Sequence, residues 1–282
     1  MFVDYHVHSE FSNDSIYDME ECVKHAIDIN LDEICFTDHV DYGVKKDWEE
    51  GNIIYSTNEK AYVKNAPLAN VDYEKYFEKI NYLKNKYTDK IIIKTGLEFG
   101  MQTHTIGKFQ KLYNRYLFDF IILSCHQIDD KGIWTGDFQK GKTRKQYYER
   151  YYQEIFNIIK QYKDYSVLGH LDLIVRYDKL GPLPFAEIKD IVTEILKTVI
   201  TDNKGIELNT SYHRYNLSDS QPSKEILKLY KELGGKIITI GSDSHKEEHL
   251  GAYIKEGLNL LKEIGFDYYC TYDNMKPIFH KI

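Results

Sequence analysis

Asp4-Tyr5-His6-Val7-His8, almost at the start of the chain, decides how the remainder is read. In an extended strand successive side chains point to opposite faces, so Asp4, His6 and His8 share one face while Val3, Tyr5 and Val7 take the other. Two imidazoles side by side near a strand end can bind one metal ion. Asp4 can then accept the second ring N–H of a histidine and fix its tautomer. A single His-x-His is also compatible with a merely polar strand end, so the reading depends on where the other histidines and carboxylates fall.

Outward from this stretch, short apolar runs alternate with amphipathic ones. Strand patterns cover Phe2–His8, Glu33–His39, Ile91–Glu98, Phe120–His126, Ser166–His170, Gly205–Asn209 and Lys236–Asp243. Helical spacing covers Met19–Asn30, Tyr73–Tyr87, His104–Tyr116, Arg144–Tyr162, Phe185–Thr201, Ser223–Leu233 and Ala252–Ile264. The connection 40–71 is long for structureless chain inside a domain, which predicts a lid at the mouth of the fold or an ordered excursion with short elements of its own. The tail Tyr268–Ile282 reads as a short strand that then trails off. Seven strand-then-helix units make an α/β pattern, either a parallel barrel or a doubly wound sheet. Every predicted strand ends in ligand-capable residues: His6/His8, Asp38/His39, Glu98, His126, His170, Glu207/Asn209 and Asp243/His245. A closed barrel gathers such ends at one mouth and an open sheet spreads them along an edge, so the barrel is favoured.

The 282 residues suit a single barrel domain spanning 1–282, and 42% hydrophobic residues can fill its core. A net charge of -7 with interspersed lysines and acids lacks the basic stripe that tracks a phosphate backbone, which disfavours nucleic acid as a partner. No basic leader and no run of about 18 apolar residues is present, so no membrane association and a cytoplasmic location are expected. Cys22, Cys35, Cys125 and Cys270 form no CxxC pair and are expected as buried, reduced thiols. Nothing in the sequence specifies an oligomeric state.

Six of the 11 histidines, His6, His8, His39, His126, His170 and His245, sit at predicted strand ends. Core packing would have to place all of them there by coincidence. Imidazoles mixed with carboxylates and no thiolate suit zinc, iron or manganese. With Glu98, Asp243 and Asp14 there are more candidates than one ion can use, which suits two or three divalent ions sharing a bridging carboxylate. Such a cluster generates hydroxide near neutral pH and stabilises both oxygens of an in-line displacement, so hydrolysis is the expected reaction. Arginine's planar fork suits phosphate, and Arg176 and Arg214 lie just beyond the fifth and sixth predicted strands, where they are expected to bind it.

With Asp-x-His-x-His at Asp4–His8, Thr37-Asp38-His39, the isolated Glu98, Ser124-Cys125-His126, Gly169-His170 and Gly241-Ser242-Asp243-Ser244-His245, the chain resembles the PHP superfamily, named for polymerase and histidinol phosphatase. Phe11-Ser12-Asn13-Asp14-Ser15, Gly169-His170-Leu171-Asp172 and Glu207-Leu208-Asn209-Thr210-Ser211 look like the monofunctional histidinol-phosphate phosphatases within it. The resemblance implies a distorted (β/α)7 barrel with a trinuclear metal site at the C-terminal strand ends. It assigns His6, His8, Glu98 and Asp243 to one ion, bridges Glu98 to a second ion held by His126 and His170, and gives the third to His39, His245 and Asp14. Asp38 is either a ligand or a partner of one. The implied reaction is hydrolysis of L-histidinol phosphate, a small phosphate monoester, to L-histidinol and phosphate in histidine biosynthesis. His245, Asp172 and a metal-bound water are alternative proton donors to the leaving oxygen. Asp41, Asp172 and Glu207 are candidate acids for the substrate's ammonium and imidazole. Rival readings are a PHP phosphoesterase for phosphotyrosine protein or nucleotides, and a non-catalytic metal-binding scaffold.

Overall fold

The strand–helix alternation is realised around one parallel sheet in a computed structural model that describes residues 1–56 and 63–282. The strands are β1 (Val3–Val7), β2 (Glu33–Phe36), β3 (His39–Val40), β4 (Ile92–Gly100), β5 (Phe120–Ser124), β6 (Gln127–Ile128), β7 (Lys131–Gly132), β8 (Val167–Leu168), β9 (Gly205–Asn209) and β10 (Ile238–Gly241). The main sheet runs β1-β2-β4-β5-β8-β9-β10, every pair parallel, and β3 continues the path of β2 along β4. A bridge between Val7 and Ser244 brings the two ends together. There the His8 N–H donates to Ser244 O at 2.8 Å and the Ser244 N–H to His6 O at 3.1 Å, giving a nearly closed seven-stranded barrel.

Helices α1 (Met19–Asp28), α2 (Tyr73–Lys86), α3 (Ile106–Arg115), α4 (Arg144–Gln161), α5 (Phe185–Thr201), α6 (Lys224–Glu232) and α7 (Ile254–Ile264) surround the strands. On α5 the buried Ile188, Val192, Ile195, Leu196 and Val199 recur at helical spacing, which turns one apolar stripe toward the sheet. Each such side chain contributes about 1.5–3 kcal/mol when fully buried. The Asp18 carboxylate caps α1 at the Glu20 and Glu21 N–H groups, Thr143 and Gln146 form a capping box on α4, and left-handed Gly265 ends α7.

The structure departs from strict alternation in β1, whose register with β2 shifts between Asp4 and Val7. This bulge re-aims the side chains. Tyr5 packs edge-on to Phe120 and accepts the Tyr272 N–H at 2.8 Å, while the Asp4 carboxylate meets Ser242 and the His6 backbone N–H and no imidazole ring. The tail also departs from expectation, because it forms an antiparallel hairpin of β11 (Tyr268–Asp273) and β12 (Lys276–Lys281). Its turn places both Asn274 and Met275 at positive φ, as a tight hairpin requires, and without a glycine there the turn carried no sequence signal. Tyr272 packs on Phe120, and its hydroxyl donates to Ser166 O at 3.2 Å, so the hairpin covers the barrel floor.

Within 40–71, residues 57–62 of the expected lid lie outside the described residues. The remainder carries a short 3₁₀ turn at Trp48–Glu50 and bridges Lys46↔Ala69 and Tyr55↔Pro67. Asp47 ties it down by accepting from Tyr42, Asn70 and Tyr73. All four cysteines are buried and free. Among the described residues no helix is long and apolar enough to cross a membrane.

Candidate metal centre at the barrel mouth

Strands β1, β3, β4, β5, β8 and β10 deliver polar residues at or just beyond their ends to one buried cluster. Glu98, near the end of β4, lies at its centre, wholly buried. Its Oε2 lies 3.3 Å from His6 Nε2, 3.6 Å from His8 Nε2 and 3.0 Å from His39 Nδ1. Its Oε1 faces the other way, 3.1 Å from His126 Nε2 and 2.9 Å from His170 Nε2. Asp243 Oδ1 lies 3.8 Å from His6 Nε2 and 3.5 Å from His8 Nε2. The half-exposed Asp14 sits between His39 and His245, its Oδ2 3.4 and 3.5 Å from their Nε2 atoms. All nine residues expected as ligands therefore come together.

Several compact groups offer ligand atoms within 4.8 Å of one another: His6, His8 and Asp243; His6, Glu98 and His170; His8, His39 and His245; and His39, Asp41 and His126. The last group contains Asp41, expected from its position in the chain to meet substrate.

Carboxylates on the far side of two rings fix their tautomers. Glu207 Oε1 accepts from His6 Nδ1 at 2.5 Å, and Asp41 Oδ1 accepts from His126 Nδ1 at 2.8 Å. With Nδ1 protonated, each Nε2 turns a lone pair toward Glu98. His6 Nε2, His8 Nε2 and Glu98 Oε2 are buried acceptors without a hydrogen-bond partner. Facing acceptors repel unless a cation or a proton lies between them, so the donor set fits divalent ions. Against the opposing effect of burial, Glu207, Glu98 and Asp243 raise His6 well above its ordinary range, and Glu98 and Asp41 bring His126 to about 9. Burial and the neighbouring His245 and His39 hold His8 well below its range. Burial would raise Glu98 and Asp243, yet the histidines hold both well below the carboxylate range, with Arg176 and Arg214 contributing at Asp243.

The backbone makes room for these contacts. A Cβ at Gly100 would overlap Asp41 Oδ1 and His126 Nδ1, and one at Gly241 would overlap His6 Cβ. Asp243 itself is left-handed, with φ 56, a conformation that aspartate tolerates better than most residues. Its carbonyl accepts from His245 Nδ1 at 2.9 Å and from Arg214 Nη2 at 2.5 Å.

Four expected roles change. Asp4 orients no ring, because the β1 bulge turns it to Ser242, where it accepts from both N–H and hydroxyl, and to the Gly251 N–H. Glu207 does not face the open mouth: its second oxygen accepts the His170 N–H at 2.9 Å, beneath the rings. Asp41 is likewise engaged, with Oδ2 2.8 Å from Lys45 Nζ. Asp172 stays outside the cluster. Its Oδ2 accepts the Ser223 N–H at 2.8 Å, and it lines a cavity of about 270 Å³ between α4, α5 and α6; burial pushes its carboxyl up to about 7. Asp38 accepts from Ser9 and Ser12, and Ser12 Oγ lies 3.3 Å from His8 Nδ1, so it acts on a ligand through hydroxyls.

Arg176 and Arg214 both reach the cluster. Arg176 Nη1 is 3.3 Å and Arg214 Nη2 3.7 Å from Asp243 Oδ2. Lys45, delivered by the 40–71 segment, was missed, because a lysine in a long polar loop carries no local sign of burial.

The profile of the PHP domain family matches residues 4–211. The histidinol-phosphatase of Lactococcus lactis is 32% identical over 280 residues, covering 97% of this chain and 95% of that protein. A probable histidinol-phosphatase of Clostridium acetobutylicum is 28% identical over 99% of this chain and 96% of its own length. Among solved structures, the Lactococcus lactis histidinol phosphate phosphatase complexed with zinc, L-histidinol and phosphate superposes with a TM-score of 0.81 at 31% identity, covering 98% of both chains.

Proposed function

The chain belongs to the PHP domain family, and from that membership we propose that it is a metal-dependent phosphomonoesterase hydrolysing L-histidinol phosphate to L-histidinol and phosphate. The observation that carries the reading is the convergence of His6, His8, His39, His126, His170, His245, Glu98, Asp243 and Asp14 on one mouth, with two arginines beside them. The likeness to a relative solved with zinc, L-histidinol and phosphate supports the substrate.

Two or three divalent ions, zinc first and iron or manganese as alternatives, would be held by His6, His8, Glu98 and Asp243, by Glu98, His126 and His170, and by His39, His245 and Asp14. Bound there, they supply Lewis-acid charge and lower the pKa of water toward neutrality. Glu207 and Asp41 keep the His6 and His126 lone pairs turned inward. Arg176 and Arg214 bind the peripheral phosphoryl oxygens and offset the charge that builds on them during displacement. With its Nδ1–H committed to the Asp243 carbonyl, His245 has only Nε2 to offer: that nitrogen can carry a proton to the leaving oxygen where the third site is empty, and where an ion fills that site the proton must come from water. Both oxygens of Asp41 and of Glu207 are already engaged beside the histidines, which favours other residues of the mouth for the substrate's ammonium.

The test is phosphate release from histidinol phosphate beside phosphotyrosine, p-nitrophenyl phosphate and a nucleotide monophosphate, on protein reconstituted separately with zinc, manganese and iron. A kcat/KM for histidinol phosphate about a hundredfold above the others, worth about 2.7 kcal/mol, is expected. A flat profile would remove the named substrate, and no turnover with any metal would remove the enzyme.

A further inference from the structure

Arg176 and Arg214 carry like charges, yet both converge on Asp243 Oδ2. Hydrogen bonds fix where their ends sit. Arg176 Nη2 donates to Ser211 Oγ at 2.8 Å and to Gln221 Oε1 at 2.6 Å, and Arg214 Nη1 donates to Ser242 O at 2.7 Å. One side chain packs against both guanidinium groups. The Tyr215 ring centroid lies 4.2 Å from Arg176 Cζ and 5.2 Å from Arg214 Cζ. Tyr215 is 42% exposed, so filling a core does not account for it, whereas the Arg176 side chain beside it is 6% exposed.

The ring has an electrostatic task that Asp243 cannot perform alone. Asp243 Oδ1 points at His6 and His8. When that carboxylate serves cations on its histidine side, less of its charge is left to hold two guanidinium groups together. The negative face of an aromatic ring attracts guanidinium without occupying its N–H donors, so those not already bonded, Arg176 Nε among them, stay free for an anion.

We propose that Tyr215 is a positioning residue for phosphate recognition: its ring holds the guanidinium groups of Arg176 and Arg214 side by side and screens them from water, so that both meet one phosphoryl group. This rests on reading the two arginines as the phosphate clamp.

The test compares metal-loaded full-length wild type with Tyr215→Leu, Tyr215→Met and Tyr215→Phe. Histidinol phosphate and p-nitrophenyl phosphate are the substrates and inorganic phosphate is the competitive inhibitor. For the Leu and Met variants, Ki for phosphate and KM for both esters are expected to rise about tenfold while kcat changes less than about threefold; Phe, which keeps the ring, should restore all three to within about twofold. Wild-type metal content and Tm identify the variants that report on the clamp, and two aliphatic replacements guard against one that misfolds. A phosphate Ki within about twofold of wild type in a folded Leu or Met variant would overturn the proposal. A loss confined to the histidinol ester would also overturn it, because the ring would then contact the leaving group. If histidinol phosphate is not a substrate, the p-nitrophenyl phosphate arm still decides the question. If no ester turns over, calorimetric titration of the metal-loaded proteins with phosphate makes the same comparison.

Discussion

Glu207→Gln removes one charge and almost no volume, and the hydrogen bonds around Glu207 dictate its effect. In the wild type Oε2 accepts the His170 N–H at 2.9 Å and faces Asn209 Nδ2 at 3.3 Å, while Oε1 accepts from His6 Nδ1. An amide must place its NH₂ at one of these two positions. At the first it would confront two donors and leave buried N–H groups unpaired, at a cost of about 1–3 kcal/mol. At the second it would donate to His6 Nδ1 and force the ring proton onto Nε2, the atom 3.3 Å from Glu98 Oε2 and needed as a ligand. Either arrangement weakens metal binding. The expected loss is about 10- to 100-fold in affinity at the ion sites that use His6, or about 1.4–2.7 kcal/mol. Competition against a chromophoric chelator gives the affinity, and metal content after dialysis gives the stoichiometry. Wild-type affinity and stoichiometry in Glu207→Gln would refute the assignment of Glu207 as the group that orients His6.

His8→Ala and Asp243→Ala should each abolish turnover while circular dichroism shows the fold retained, and near-normal activity in either would dismantle the site assignment. Arg176→Ala, which removes charge-assisted bonds worth about 1.5–3 kcal/mol, should raise KM and lower kcat/KM for a phosphate ester by about 10- to 100-fold; unchanged kinetics would exclude Arg176 from the clamp. Asp172 has a carboxyl raised by burial from 3.8 to about 7. Its contribution to stability is fully present below the unfolded value and is lost as pH rises through about 7, because the folded state holds a proton that the unfolded chain has released. Asp172→Asn keeps the oxygen for the Ser223 N–H and should flatten the fall in stability between about pH 4 and 7. That fall amounts to up to about 4 kcal/mol in the wild type. Parallel denaturation profiles across that range would contradict the raised carboxyl.

The barrel was legible because β/α alternation is a local property and ligand-capable residues at strand ends need only the ends to be recognised. Eight of the nine residues expected as ligands lie at or just beyond such ends, whereas Asp14 lies in the loop after β1, where strand patterning gives no sign of it. The roles of Glu207 and Asp41 depend on a partner far along the chain: His6 lies 201 residues from Glu207, and His126 lies 85 from Asp41. An acid near a strand end looks the same in sequence whether it meets substrate or the back of an imidazole. The β1 bulge was hidden for a different reason. Asp4 alternates correctly with His6 and His8 in the sequence, and only the register against β2 reveals the bulge that takes it to Ser242 instead of a ring. The terminal hairpin was missed because its turn uses Asn274 and Met275 where a glycine would have announced it.

The seam between β1 and β10 sets the order of events during synthesis. His6 and His8 leave the ribosome long before Asp243 and His245, and the Asp4–Ser242 contact that seals the seam spans 238 residues. A nascent chain therefore carries an incomplete set of candidate metal-binding groups until that stretch has been made. Contacts of such large sequence separation form late and slowly. Any ion site that draws on both β1 and the residues after β10 can be completed only once both are made, and its completion would coincide with closure of the barrel.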